Sequence, residues 1–135
     1  MKIYTLDTNI IAYLMKGMQD IDKKLAAVTK EGNNIIINPI TYYEICRGLL
    51  VVNALKKLET FKEICEVFGV VEFKREILDK AAEIYNELKS KGELVEDADI
   101  FIAAICITND FVLVTNNTKH FDRISGLNIE NWASC

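Results

Sequence analysis

Ile3-Tyr4-Thr5-Leu6-Asp7-Thr8-Asn9-Ile10-Ile11-Ala12-Tyr13-Leu14 decides the fold: a short apolar run of strand type meets a carboxylate and becomes a helical stripe. Ile35-Ile36-Ile37-Asn38 followed by Pro39-Ile40-Thr41-Tyr42-Tyr43-Glu44 repeats the design. A third segment, Glu96-Asp97-Ala98-Asp99-Ile100-Phe101-Ile102-Ala103-Ala104, opens with acids and continues as a helix too apolar to lie on a surface. Working outward, strands are expected near 2–6, 34–38, 69–73 and 111–115, with a short one at 127–130. Helical stripes cover 19–31, 41–51, 53–67 and 75–91. Strands alternating with helices predict a layered α/β domain on a parallel sheet. In such a sheet the loops at the strands' carboxyl ends converge on one edge, where ligands bind. Asp7, Glu44 and Asp99 are therefore expected to meet there.

Each acid also has a local explanation. Thr41-Tyr42-Tyr43-Glu44 fits a capping box, Asp7 fits a cap for a helix starting at Thr8, and Asp97 fits a cap for the helix containing Asp99. Caps alone do not explain why the acids fall on the one edge where their repulsion is worst. Gathered carboxylates raise one another's pKa unless a cation neutralises them. Oxygen-only ligands suit Mg²⁺, with Mn²⁺ as a substitute. Such an ion acidifies water and stabilises the charge that develops when a phosphodiester is cut. The expected reaction is metal-assisted hydrolysis.

At 135 residues and 50% hydrophobic content the chain is sized for a single domain, 1–135. Its apolar runs fall short of the roughly 18 residues that span a bilayer, and its opening meets an acid too early for a signal peptide, so a cytoplasmic protein without membrane contact is expected. Cys46, Cys65, Cys106 and Cys135 show no Cys-x-x-Cys spacing and read as reduced thiols, with Cys135 frayed at the terminus. His120 is the only histidine, read as a solvated loop residue, so carboxylates must carry the catalysis. A net charge of −4 argues against a broad nucleic-acid surface. Lys16, Arg47, Lys119, His120 and Arg123 nevertheless fall near the carboxyl edge, a basic rim suited to a phosphate backbone. Helices 41–51 and 53–67 form a hairpin whose Tyr42, Tyr43, Leu49, Leu50, Val51 and Val52 would overfill a small core, which implies a dimer interface or a bound partner.

Four motifs in order carry a family resemblance: Leu6-Asp7-Thr8-Asn9-Ile10, Ile40-Thr41-Tyr42-Tyr43-Glu44-Ile45-Cys46-Arg47-Gly48, Asp99-Ile100-Phe101-Ile102-Ala103-Ala104, and Val114-Thr115-Asn116-Asn117 with His120-Phe121-Asp122-Arg123-Ile124. With the closing Leu127-Asn128-Ile129-Glu130-Asn131-Trp132, the chain resembles PIN-domain ribonucleases, and within them the VapC-type toxins of toxin–antitoxin systems. The resemblance implies a three-layer α/β/α fold around a central, mainly parallel sheet of four to five short strands. It makes Asp7 and Asp99 the principal Mg²⁺ ligands and Glu44 the acid that completes the constellation. Asp97 becomes an additional acid, and Thr8 and Thr115 support the site by hydrogen bonding or by touching substrate. Arg47 becomes a phosphate contact, or equally a partner in a structural salt bridge. Many members carry an acid where this chain has Asn117, and Thr115-Asn116-Asn117 resembles the branch that cuts initiator tRNA. The implied partners are an RNA substrate of the tRNA class, a VapB-type antitoxin docked on the surplus apolar groove, and a second copy in a homodimer. A silent PIN module that only binds RNA or protein, and a housekeeping nuclease that processes ribosomal RNA, stand as the alternatives.

Overall fold

The computed structural model describes residues 1–133, so Cys135 lies outside the described part. The elements run β1 (Ile3–Leu6), α1 (Thr8–Met15), α2 (Gln19–Lys30), β2 (Asn34–Ile36), α3 (Pro39–Val51), α4 (Leu55–Phe68), α5 (Arg75–Lys91), α6 (Asp97–Asn109), β3 (Val112–Val114), α7 (Thr118–Phe121) and β4 (Asn128–Glu130). The four strands lie in the order β2-β1-β3-β4, and every pairing is parallel. Leu6 is in register with Val114, so β1 and β3 end side by side.

Alternation across the pleat sorts the core into two layers. Tyr4, Leu6, Val112 and Val114 face the helices α1 to α4, packing with Ile10, Ile11, Ile21, Ile45 and Phe61. Leu113, on the opposite face, packs with Ile77, Ile84 and Leu88 of α5, the buried side of α6, and Phe121. Helices on both faces of a parallel sheet are the expected α/β/α sandwich. Ile100 and Ile102 through Cys106 are all buried, so α6 is the apolar rod its composition suggested.

Two local expectations change. The strand expected at 69–73 is a single parallel bridge, Ile37 to Val70, at the open edge of β2. Gly69 turns the chain at φ 83° just before it, and Val70 is 42% exposed, so the run packs inward only through Val71 and the edge-on contact of Phe73 with Phe101. The capping box at Thr41 does not form, because α3 starts earlier. Asn38 accepts from the Ile40 N–H at 2.9 Å and Pro39 occupies the first turn, a stronger start than Thr41 offers. Lys56 and Lys57 of α4 line a groove beside Thr8 and Glu44.

The α3–α4 hairpin does expose the expected apolar tip: Val51 is 83%, Val52 70% and Leu50 56% exposed. Trp132 is buried against Tyr4, with ring centroids 5.4 Å apart, and so packs rather than presenting a stacking platform. Cys65 and Cys106 are buried free thiols, with Cys46 half-buried, and burial pushes the Cys65 thiol up to about 11. Among the described residues no helix is long and apolar enough to cross a membrane.

Candidate active site

β1 and β3 are neighbours whose crossovers leave in opposite directions, so the crevice beyond their carboxyl ends is the switch point of this sheet. Asp7 follows β1 directly, and its N–H donates to the Val114 carbonyl at 2.8 Å, prolonging the β1–β3 ladder. Thr115 follows β3 and donates from its N–H to the Glu130 carbonyl at 3.0 Å. Strand register therefore sets where both side chains sit.

From these two residues a continuous polar chain runs across the crevice. Asp7 Oδ2 accepts from Thr115 Oγ1, and Asp7 Oδ1 from the Thr8 N–H, both at 2.8 Å. Thr8 Oγ1 donates to Glu44 Oε1 at 2.8 Å, which ties the first turn of α1 to the second motif on α3. On the other side the Asn117 N–H donates to Thr115 Oγ1 at 3.0 Å. The Asn117 amide nitrogen then lies 3.1 Å from His120 Nδ1, and that nitrogen lies 3.5 Å from Asp99 Oδ2. Glu44, Asp7 and Asp99 are thus joined through Thr8, Thr115, Asn117 and His120.

The electrostatics follow from burial. Asp7 is only 8% exposed, and burial pushes its carboxyl above the ordinary value, with the Thr115 and Thr8 bonds opposing the rise. Burial also raises Asp99, the charge of Asp7 raises it further, and His120 pulls the other way. Two carboxylates raised together in one crevice make it the candidate site of this fold.

Other expected residues fall outside this chain. Asp97 is exposed at the start of α6 and joins none of these bonds; two residues from Asp99, it faces another side of the helix. Arg47 is exposed and stacks over the Tyr43 ring at 5.1 Å, and among the described residues it makes no salt bridge. Thr115 is fully buried with its hydroxyl committed to Asp7, so it holds the carboxylate and does not present itself to a substrate. Arg123 turns from the rim toward the Glu93 and Leu94 carbonyls, at 3.5 and 3.4 Å. His120, set aside as a loop residue, sits on α7 against Asp99; its spacing of three from Asn117 was the available signal. Among the described residues no group of three or more His, Cys, Asp or Glu is gathered tightly enough to hold a metal ion by itself.

A groove of about 420 Å³ leads away from Glu44 and Thr8 between α1, α3 and α4. Apolar Ala12, Ile45 and Leu49 line it together with Lys16, Lys56 and Lys57.

A PIN domain model matches residues 4–127. The ribonuclease VapC2 of Rickettsia felis is 32% identical over 134 residues, covering 96% of this chain and 98% of that protein. This chain belongs to the PIN-domain family, in its VapC branch. A tRNA(fMet)-specific endonuclease VapC of Salmonella typhimurium is 29% identical over 136 residues, covering 96% of this chain and 97% of that protein. The solved VapBC2 complex of Rickettsia felis, bound to a DNA fragment from its promoter, contains a chain that superposes with a TM-score of 0.86 at 31% identity, covering 96% of this chain and 98% of that one. The fold of this chain therefore matches that of the VapBC2 complex's chain, and Asp7, Glu44 and Asp99 stand at the carboxyl edge of its sheet.

Proposed function

We propose that this VapC-type PIN domain is a Mg²⁺-dependent endoribonuclease toxin that cuts a structured RNA of the tRNA class and is restrained by a VapB-type antitoxin. The observation that carries the reading is the polar chain linking Glu44, Asp7 and Asp99 at the sheet's switch point. The donor set fits a hard divalent cation. Mg²⁺ leans on one or two carboxylates and a substrate phosphate while keeping several waters, so it needs no closed cage of protein ligands. Asp7 and Asp99 repel across the crevice, and a cation relieves that repulsion.

In this reading Asp7 and Asp99 hold the ion, which when bound stabilises charge on the scissile phosphate and acidifies water. Asp7 keeps one orientation through its bonds to Thr8 and Thr115, so little reorganisation is needed when RNA arrives. Glu44 offers Oε2 to orient the attacking water while Thr8 fixes Oε1. Lys16, Lys56 and Lys57 line the groove where a phosphate backbone could be drawn in, and Arg47 stands exposed over Tyr43 on the helix that carries Glu44. The tRNA class is supported by the Salmonella relative's name, and the antitoxin by the Rickettsia complex and by the apolar groove that opens beside Glu44. The exposed tip of the α3–α4 hairpin supports pairing of two copies.

The test is cleavage of a total tRNA pool by wild type and Asp99→Asn, each with Mg²⁺, with Mn²⁺ and with chelator. Discrete fragments that need metal and vanish in the variant are expected. RNA binding without cleavage under every condition would replace this reading with the silent binding module, for which Asn117 in place of an acid is the supporting observation.

A further inference from the structure

Beside the acid chain stands a second polar cluster, built from α1 and the loop after β3. Asn9 and Tyr13 lie four residues apart on one face of α1, and Asn116 reaches them from between Thr115 and Asn117. Asn116 spends both ends of its amide: Oδ1 accepts from Asn9 Nδ2 at 3.4 Å, and Nδ2 donates to the Tyr13 hydroxyl at 3.0 Å. Tyr13 is half-buried with its ring packed on the core, so the cluster is anchored at that end. Asn9 is exposed and spends only its nitrogen, which leaves Oδ1 without a partner among the described residues. Neither capping nor core packing explains the arrangement, because Asp7 caps α1 and Ile10 and Ile11 form its buried side. An exposed amide is thus held at the crevice, two residues from Asp7, with one end open.

The chemistry of the open end narrows what it binds. Turning both amides end for end frees the Asn9 nitrogen in place of its oxygen. A hydroxyl donates and accepts, so it pairs with either. In RNA the hydroxyl nearest the 3′-phosphate is the ribose 2′-OH, the group that separates RNA from DNA. A phosphate seated at the Asp7 end of the crevice brings that hydroxyl to the side chains next along α1. We propose that the Asn9 amide bonds the 2′-hydroxyl of the nucleotide whose 3′-phosphate is cut, with Asn116 and Tyr13 holding the amide in place, and so selects RNA over DNA. The proposal rests on the nuclease reading above and names what that site recognises besides phosphate.

The probe is a tRNA that wild type cuts, rebuilt by ligation from synthetic segments so that the ribose on the 5′ side of the cut carries either its 2′-hydroxyl or hydrogen. Wild type and Asn9→Ala, both as the full chain with Mg²⁺, are compared in single-turnover cleavage, and thermal melting verifies that the exposed substitution leaves the fold intact. Losing the hydroxyl is expected to slow wild type about five- to tenfold, the scale of one hydrogen bond, and Asn9→Ala to slow on the unmodified tRNA by as much. On Asn9→Ala the missing hydroxyl should then change the rate less than about twofold, because the two losses are one bond. A penalty for the missing hydroxyl that is equally large in both proteins overturns the proposal. So does a slow Asn9→Ala with no such penalty in wild type, which would make Asn9 a reader of the base; either result leaves the nuclease reading standing. Failure of wild type to cut any tRNA removes the nuclease reading and the proposal with it.

Discussion

At one end of the polar chain Glu44, Thr8, Asp7 and Thr115 are joined by bonds of 2.8 Å, and Asp7 and Thr115 are buried; at the other, Asn117, His120 and Asp99 meet at 3.1 and 3.5 Å with His120 half in solvent. The first end is anchored to strands β1 and β3, whose register leaves no freedom in where Asp7 and Thr115 point. The second hangs from the start of α6 and from a helix of four residues. The difference teaches that one half of this site is held by the register of the sheet, and the other half rests on longer, more adjustable contacts between helix ends.

The largest effects should come from removing charge at either end. Asp7→Asn and Asp99→Asn are each expected to lower single-turnover RNA cleavage about 1000-fold, the scale of losing a group that stabilises transition-state charge. A much smaller loss in Asp99→Asn alone would make the adjustable end dispensable. Next comes the preorganised end. Thr115→Val takes away the hydroxyl that Asp7 accepts from, leaving a buried carboxylate short of a partner, and should cost about 1–3 kcal/mol in urea unfolding at neutral pH. Because that bond holds the Asp7 pKa down, the deficit should shrink once acid protonates Asp7.

A gentler comparison uses pH. Asp7 and Asp99 hold protons more tightly in the folded chain than in the unfolded one, so the stability they contribute is complete below the ordinary carboxylate value and lost as pH rises through their folded values. In chelator at pH 7, Asp99→Asn should therefore melt a few degrees above wild type, and the gap should close below about pH 4. A variant that melts lower at pH 7 would show that His120 outweighs burial. The smallest effect belongs to Arg47, exposed over Tyr43. Arg47→Ala should weaken RNA binding by less than about tenfold and reduce the slope of affinity against salt by about one, read from binding isotherms at several salt concentrations.

Much of the fold was legible because its signals are local. Ile3 to Leu6 and Ile35 to Ile37 read as strands, and the stripe Ile77, Ala81, Ile84, Leu88 as a helix, from spacing alone. Val70-Val71 read as a strand for the same reason and is only a bridge, since Val70 stays largely in solvent at the sheet edge and Val71 alone packs inward. Thr41 read as a cap because the motif is local, yet Asn38 and Pro39 outcompeted it. For His120 only its place near the carboxyl edge and its spacing from Asn117 were legible; its contact with Asp99 was not, because that residue lies in another helix and no periodicity reports a contact across elements.

The sequence by itself determined that Asp7 follows a strand and that Glu44 and Asp99 lie near the starts of helices in a parallel α/β domain, because hydrophobic period and helix starts depend on near neighbours. Only the tertiary structure decided which side chains hold those acids. Thr115 and Asp7 are 108 positions apart and Thr8 and Glu44 are 36 apart, pairings made by strand order and helix packing. It also decided that Asp97 faces away while His120 faces in, because a helix turns about 100° per residue and only packing against the sheet determines which side meets the crevice.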